Sequence, residues 1–292
     1  METVKNPIAA SINLVMTNKY AHKSLNLGDV ISAGFRIYRD HFKQYFTMAF
    51  VGFLWLIVPI YGWAKFAAIS GAIARLAFFE VSERPEPGAD AKRYTDKRKW
   101  SFLGQSLLLL LIMIGAFIGL AIAVGIAGFL VSILLSPESF VSLLLGFLLG
   151  VVAFVMFYIG LMWISARLYI CDVILAVENP MTATGAISKS WQITKESAFK
   201  IIWILIVAGL ATFPVSIGGQ LIMTISRLVI SVILPYDLAA LVNFLIILAV
   251  LIAMSALTWP FFQSITAVIY YDIISRNGKQ NRVTDRPKKP EI

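Results

Sequence analysis

Long apolar blocks dominate this chain and leave it few ways to fold: residues 45–79, 101–136, 140–170, 201–235 and 238–274. Each contains enough apolar sequence to supply the roughly 20 residues that cross a bilayer core. A helix on the core of a water-soluble domain carries a polar stripe every 3.6 residues, and these blocks mostly do not. Composition agrees: of 292 residues, 59% are hydrophobic and 14% charged, against about 25% charged in soluble domains. The expected fold class is all-α, a polytopic transmembrane helical bundle.

The first block would make about 52 Å of helix, too long for one crossing of a core of roughly 30 Å. Val58-Pro59-Ile60-Tyr61-Gly62 breaks it near the middle, and proline and glycine this close favour a reversal. The division gives six spans in three hairpins, at 45–59, 62–80, 101–135, 140–167, 200–234 and 238–274. Trp63 and Lys65 then fall at the far interface, and Arg75 snorkels to the near one. A hairpin centred on Pro137 sets Gly128 level with Gly146 and Gly125 close to Gly150. With Gly115 and Gly119, these predict close helix approach. Pro214 and Gly218-Gly219 disturb the fifth span, and Pro260 bends the sixth. Around a single domain at 26–275, residues 1–25 read as a mobile N-terminal arm without a signal-peptide pattern. Residues 276–292 read as a disordered basic tail.

Two amphipathic helices precede spans. In the first, Asn26 and Asp29 stand as a helix start. Ile31, Phe35, Tyr38, Phe42 and Tyr45 share one face, and Arg36, Asp40 and Lys43 fall on the other side. A helix of this kind lies in the headgroup plane, which makes Phe35, Arg36, Arg39, Phe42 and Lys43 candidate membrane-surface contacts; the other reading is a helix packed on protein. The second follows Asn179-Pro180, an N-cap and first-turn proline. It places Ile187, Trp191, Thr194, Ala198 and Ile201 on one face, with Trp191 as a further surface contact. Phe35–Asp40 and Trp191–Glu196 match as a faint internal repeat, of the kind found in transporters.

Charge sets the orientation. The net charge is +9, and the segments 1–44, 81–100, 167–200 and 275–292 hold 22 of the 25 Lys and Arg. Lys and Arg collect on cytoplasmic loops, so an even number of crossings separates these segments and both termini are cytoplasmic. Trp100, Trp163, Trp191, Trp203, Tyr270 and Tyr271 fall at the same boundary, as an aromatic belt does. The basic balance therefore points to anionic lipid headgroups rather than nucleic acid.

Leu27-Gly28-Asp29-Val30 with Phe35-Arg36-Ile37-Tyr38-Arg39 and Phe42 resembles the opening of a bacterial membrane family. Glu178-Asn179-Pro180 with Ala186, Ser190-Trp191, Ile193-Thr194-Lys195 and Phe199, and the closing Tyr270-Tyr271-Asp272, resemble its later motifs. This is the glycerophosphoryl diester phosphodiesterase membrane-domain family, with related six-span proteins. The resemblance covers about 27–275. It implies a multi-pass domain in a bacterial inner or internal membrane, and it covers the membrane part only. The family's catalytic domain resembles a barrel with paired histidines and metal-binding carboxylates. This chain has no room for a barrel, and its two histidines, His22 and His41, lie in or beside the first amphipathic helix.

No phosphate loop, HExxH, CxxC or GxSxG occurs. The lone Cys171 allows neither an intrachain disulfide nor a Cys-based zinc site. Catalytic, cofactor and metal sites are therefore not assigned. Ionisable groups at membrane depth are costly and so become candidates by default: Arg75, Arg167, Asp172, Glu178 and Arg227. Pairing of Asp172 with Arg167 or Arg75 is expected, as is pairing of Arg227 with Asp237. The first functional reading is a non-enzymatic protein of membrane or lipid organisation, assembly or scaffolding, with lipids and other membrane proteins as partners. The alternative is a transporter or permease for a lipid or small solute, marked by a polar cavity near Arg227 or Thr212 and Ser216.

Overall fold

The computed structural model describes residues 26–134 and 140–284, with side chains at 26–133 and 140–276. The arm at 1–25, the Pro137 turn and residues 285–292 lie outside the described residues. Within them the chain is helical without strands. The helices are α1 (Leu27–Asp40), α2 (Phe42–Trp55), α3 (Tyr61–Val81), α4 (Gly88–Lys97), α5 (Lys99–Leu134), α6 (Phe140–Leu168), α7 (Cys171–Val177), α8 (Ala183–Ile193), α9 (Ala198–Ile233) and α10 (Tyr236–Thr284).

Four helices, α5, α6, α9 and α10, are long and apolar enough to cross a membrane. None of the most apolar stretch of α5 or α6 is buried inside the protein, and little of that in α9 or α10 is. Apolar side chains on every side of a helix cannot face water over such a length; they fit lipid, where a helix satisfies its own backbone. Two hairpins result. α5 packs on α6, α9 packs on α10, and α6 joins the pairs by packing on α9.

At one end these helices run into a compact domain centred on α3. This helix is narrow: Gly62, Ala64, Ala68, Gly71, Ala72, Ala74 and Ala77 are all buried. Its small surface lets α2, α4, α5, α7 and α10 approach together. At Gly71 a Cβ atom would come within 2.4 Å of the Phe102 ring on α5.

Neither helix of the first apolar block is among the four that are long and apolar enough to cross a membrane. α2 has 14 residues, about 21 Å, short for a core of roughly 30 Å. Lys65, expected at the far interface, donates to Asp96 on α4 at 2.6 Å. Lys99, at the start of α5, stands 4.9 Å from the centre of the Tyr61 ring. The turn between α2 and α3 therefore lies beside the basic segment from which it was expected to be separated by a membrane. At the other end of this hairpin, His41 approaches Glu80 at 3.8 Å. The reversal itself is tight: a Cβ on Gly62 would fall 1.8 Å from the Trp55 carbonyl oxygen, and Ile60 takes a φ of 60°.

Other expectations shift too. Asn26 and Asp29 do form a capping box, the Asn26 N–H donating to Asp29 Oδ2 at 3.0 Å. α1, however, buries Val30, Gly34, Ile37 and Tyr38 against α10, where Tyr38 donates to the Leu257 carbonyl at 2.7 Å. Thr182, not Asn179, caps α8, accepting from the Gly185 N–H at 3.1 Å. The helix α9 continues through Pro214, and α10 runs through Pro260 to Thr284, into the expected tail. The glycines at 115, 119, 125, 128, 146 and 150 have open space where a Cβ would stand; the close approaches are Gly160 to Leu120 and Gly219 to Met254. Chain spacing aligned the first set, but helix rotation turned them away from a partner.

Replacing Gly71 by Val should force α3 away from Phe102. Overpacking of this kind costs about 1–3 kcal/mol. Thermal unfolding of the detergent-solubilised protein should show a lowered midpoint, partly restored by adding Phe102→Leu.

Candidate functional site

Where the long helices leave the domain, a cavity of about 490 Å3 opens between the two hairpins. Its apolar walls include Leu109 and Met113 of α5, Leu168 of α6, Leu205 of α9 and Phe262 of α10. α5 and α10 pack little against one another there, and the two hairpins meet through α6 and α9. The volume lies within the roughly 300–1,000 Å3 of small-molecule sites.

Asp172, at the start of α7, lines the cavity. It is held by amides rather than by cations. Gln105 Nε2 donates to Asp172 Oδ1 at 2.5 Å, and Gln263 donates to the same carboxylate. Gln263 Nε2 also donates to Ser70 Oγ at 2.7 Å, and the Trp259 indole N–H donates there at 2.9 Å. One polar chain thus ties α3, α5, α7 and α10 together. The Oε1 atoms of Gln105 and Gln263 are buried without a protein donor. Nearby hydroxyls are already engaged: Ser165 donates to the Leu161 carbonyl at 2.8 Å, and Thr266 to that of Phe262 at 2.9 Å. The cavity is therefore lined by the Asp172 carboxylate and the Gln263 side chain among mainly apolar neighbours.

The five charges singled out from sequence do not meet in one site. Arg75, expected to snorkel, lies in the domain. It donates to Glu86 at 2.7 Å and to the Ala176 carbonyl at 2.7 Å, and stacks 4.1 Å from the centre of the Tyr94 ring. Arg98 joins it there by donating to the carbonyls of Leu175 and Met181. Glu178 accepts from Lys189 at 2.5 Å and from the Tyr270 hydroxyl. Arg167 lies against the rings of Trp163 and Trp191. Arg227 is exposed on α9, and no ion pair with Asp237 is found among the described residues. Neither expected partner of Asp172 reaches it: Arg75 binds Glu86, and Arg167 points to the tryptophans.

On α1 and α2, Phe35, Arg36, Arg39, Phe42 and Lys43 are all exposed, and Arg39 pairs with Asp40 at 3.0 Å. The hydrogen bond to Asp96 raises Lys65 above the usual lysine range, with the nearby negative charge adding to it. Among the described residues no three His, Cys, Asp or Glu side chains cluster as metal ligands.

Gln105, Gln263, Ser70 and Trp259 are the residues that sequence reading passed over. Their signal was present: Gln105 and Gln263 are isolated amides in apolar runs, where an unpaired amide is expensive. What joins them is not adjacency but the crossing of α3, α5, α7 and α10. No protein-family model, curated protein or solved structure matches the chain.

Gln263→Leu removes donors to Asp172 and Ser70 at once. Leaving buried polar partners unmet costs about 1–3 kcal/mol each. A lowered unfolding midpoint in detergent is expected, with a smaller loss in Gln263→Glu at acidic pH, where a protonated carboxyl can still donate.

Proposed function

We propose that this protein is a non-enzymatic, four-span membrane protein that organises lipid at one face of the bilayer, admitting lipid between its two helical hairpins. The observation carrying this reading is the 490 Å3 cavity between the hairpins, where Leu109, Met113, Leu205 and Phe262 stand beside Asp172 and Gln263. An amphiphile matches that distribution. The domain around α3 would rest on the cytoplasmic face, since the basic segments gather there. Phe35 and Phe42, exposed beside Arg36, Arg39 and Lys43, would touch anionic headgroups. The α2–α3 turn, with exposed Leu54, Ile57, Ile60 and Trp63, would dip into the same interface without crossing.

Four spans replace the expected six in this reading but keep its parity, because removing one hairpin changes no orientation. The family resemblance stays compatible with the domain's short motifs. Solute transport draws less support. Arg227 is exposed and Thr212 half-buried on α9, and Thr212 donates to its own helix at Gly209, 2.9 Å away. Neither lines the cavity.

Two measurements test the proposal. In a Cys171→Ser background, Lys65→Cys and Asp96→Cys should be joined by a short bis-maleimide in native membranes. Six spans would hold these positions a bilayer apart, so absence of the link, with both cysteines reactive, defeats the four-span topology. Groove filling tests the role: Met113→Trp should reduce the lipid co-purifying per protein, whereas Leu130→Trp on exposed surface should not. Equal lipid in both variants and the unaltered protein would remove the case for the groove.

A further inference from the structure

Arg167 is a buried charge whose guanidinium lacks protein acceptors at two nitrogens. The residue is 4% exposed, and the open nitrogens are Nε and Nη1. No carboxylate pairs with it among the described residues. Its guanidinium carbon lies 4.5 Å from the centre of the Trp191 ring and 5.4 Å from that of Trp163. Aromatic faces stabilise the cation but accept none of its in-plane N–H bonds conventionally. A buried guanidinium with open donors calls for an oxyanion.

The arrangement around it is built. Ser190 and Thr194 both donate to the Arg167 carbonyl, at 2.7 and 3.1 Å. These bonds clamp the end of α8 to the end of α6 and set Trp191 over the guanidinium. Trp191 and Leu168 also wall a second cavity, of about 410 Å3. Leu108 and Ile112 line it with apolar surface, and Thr184, Ser188 and Gln192 with polar surface. Tryptophan and arginine together at the end of a long apolar helix mark the headgroup level.

We propose that Arg167, with Trp163 and Trp191, holds the phosphate of an anionic glycerophospholipid, whose apolar part enters the cavity beside Trp191. The phosphate would receive the open N–H bonds of Arg167. Ser188 and Gln192 stand near enough along α8 to meet the remainder of the headgroup. The inference rests on the reading that the long helices enter lipid, but it concerns a site apart from the groove above Asp172.

The test uses the full-length protein in dodecyl maltoside micelles, titrated with phosphatidylglycerol, phosphatidylcholine or inorganic phosphate and followed by tryptophan fluorescence. Phosphatidylglycerol should saturate a single site, and Arg167→Gln should weaken it by about tenfold or more, the scale of losing charged hydrogen bonds. Arg227→Gln, which removes an exposed charge elsewhere, should bind as the unaltered protein does. Trp191→Phe keeps the charge and should bind more weakly than the unaltered protein, which covers the case in which Arg167→Gln does not fold. Equal binding by the unaltered protein and whichever of these two site variants folds overturns the proposal. So does phosphatidylcholine binding as tightly as phosphatidylglycerol, and so does saturation by inorganic phosphate that leaves nothing for the lipid to add. The Lys65–Asp96 cross-link reports on topology separately, so failure of this site and failure of the four-span reading are distinguishable.

Discussion

Close approach to α3 is the constraint on which the rest of the packing depends. Its buried alanines and glycines present little more than backbone, so five helices can gather around it. Larger neighbours supply the bulk: Phe102 reaches to Gly71, and Phe78 meets Tyr270 at 5.4 Å between ring centres. Interiors pack at crystal-like density, so a narrow axis demands wide partners. The same closeness brings Ser70 on α3 within hydrogen-bonding reach of Trp259 and Gln263. Without it the amide chain to Asp172 would have no anchor.

From that axis follow two different surroundings for apolar residues. Around α3 they are buried by protein, and along the outer parts of α5, α6, α9 and α10 few are buried among the described residues. Hydrophobic association drives the first. It cannot drive the second in lipid, where tails are as apolar as leucine. The hairpins are accordingly tied at the domain end, where Gln105 and Gln263 share the Asp172 carboxylate. The cavity opens beside this junction, and Asp172 lines it from the start of α7.

The long helices were legible because a run of apolar residues beyond a certain length has one stable surrounding. The capping box of Asn26 and Asp29 was legible because both groups lie within one turn. The α2–α3 hairpin was legible as a hairpin, but its packing against α4 and α10 was not. Hydropathy weighs residues 45–79 the same whether protein or lipid covers them, and here Ala64, Ala68 and Ala72 face protein. Glycine spacing at 128 and 146 failed for a related reason: a repeat of four along a helix says which residues share a face, not which way that face turns. Arg75 and Arg167 were both noticed as charges near span ends. Only one found a carboxylate, because Glu86 is carried back to Arg75 by the turn before α4.

Residue order alone determined that this chain is helical, that it contains segments fit for lipid, and that its cations gather in four stretches separated by them. Those properties are additive along the chain, or confined to one turn, and need no partner. Tertiary structure decided which apolar block is covered by protein and that Lys65 meets Asp96. It also brought Gln105 and Gln263, far apart in the chain, to one carboxylate. Such outcomes depend on the rotation and crossing of whole helices, which are set by how side chains from several elements fit together at once.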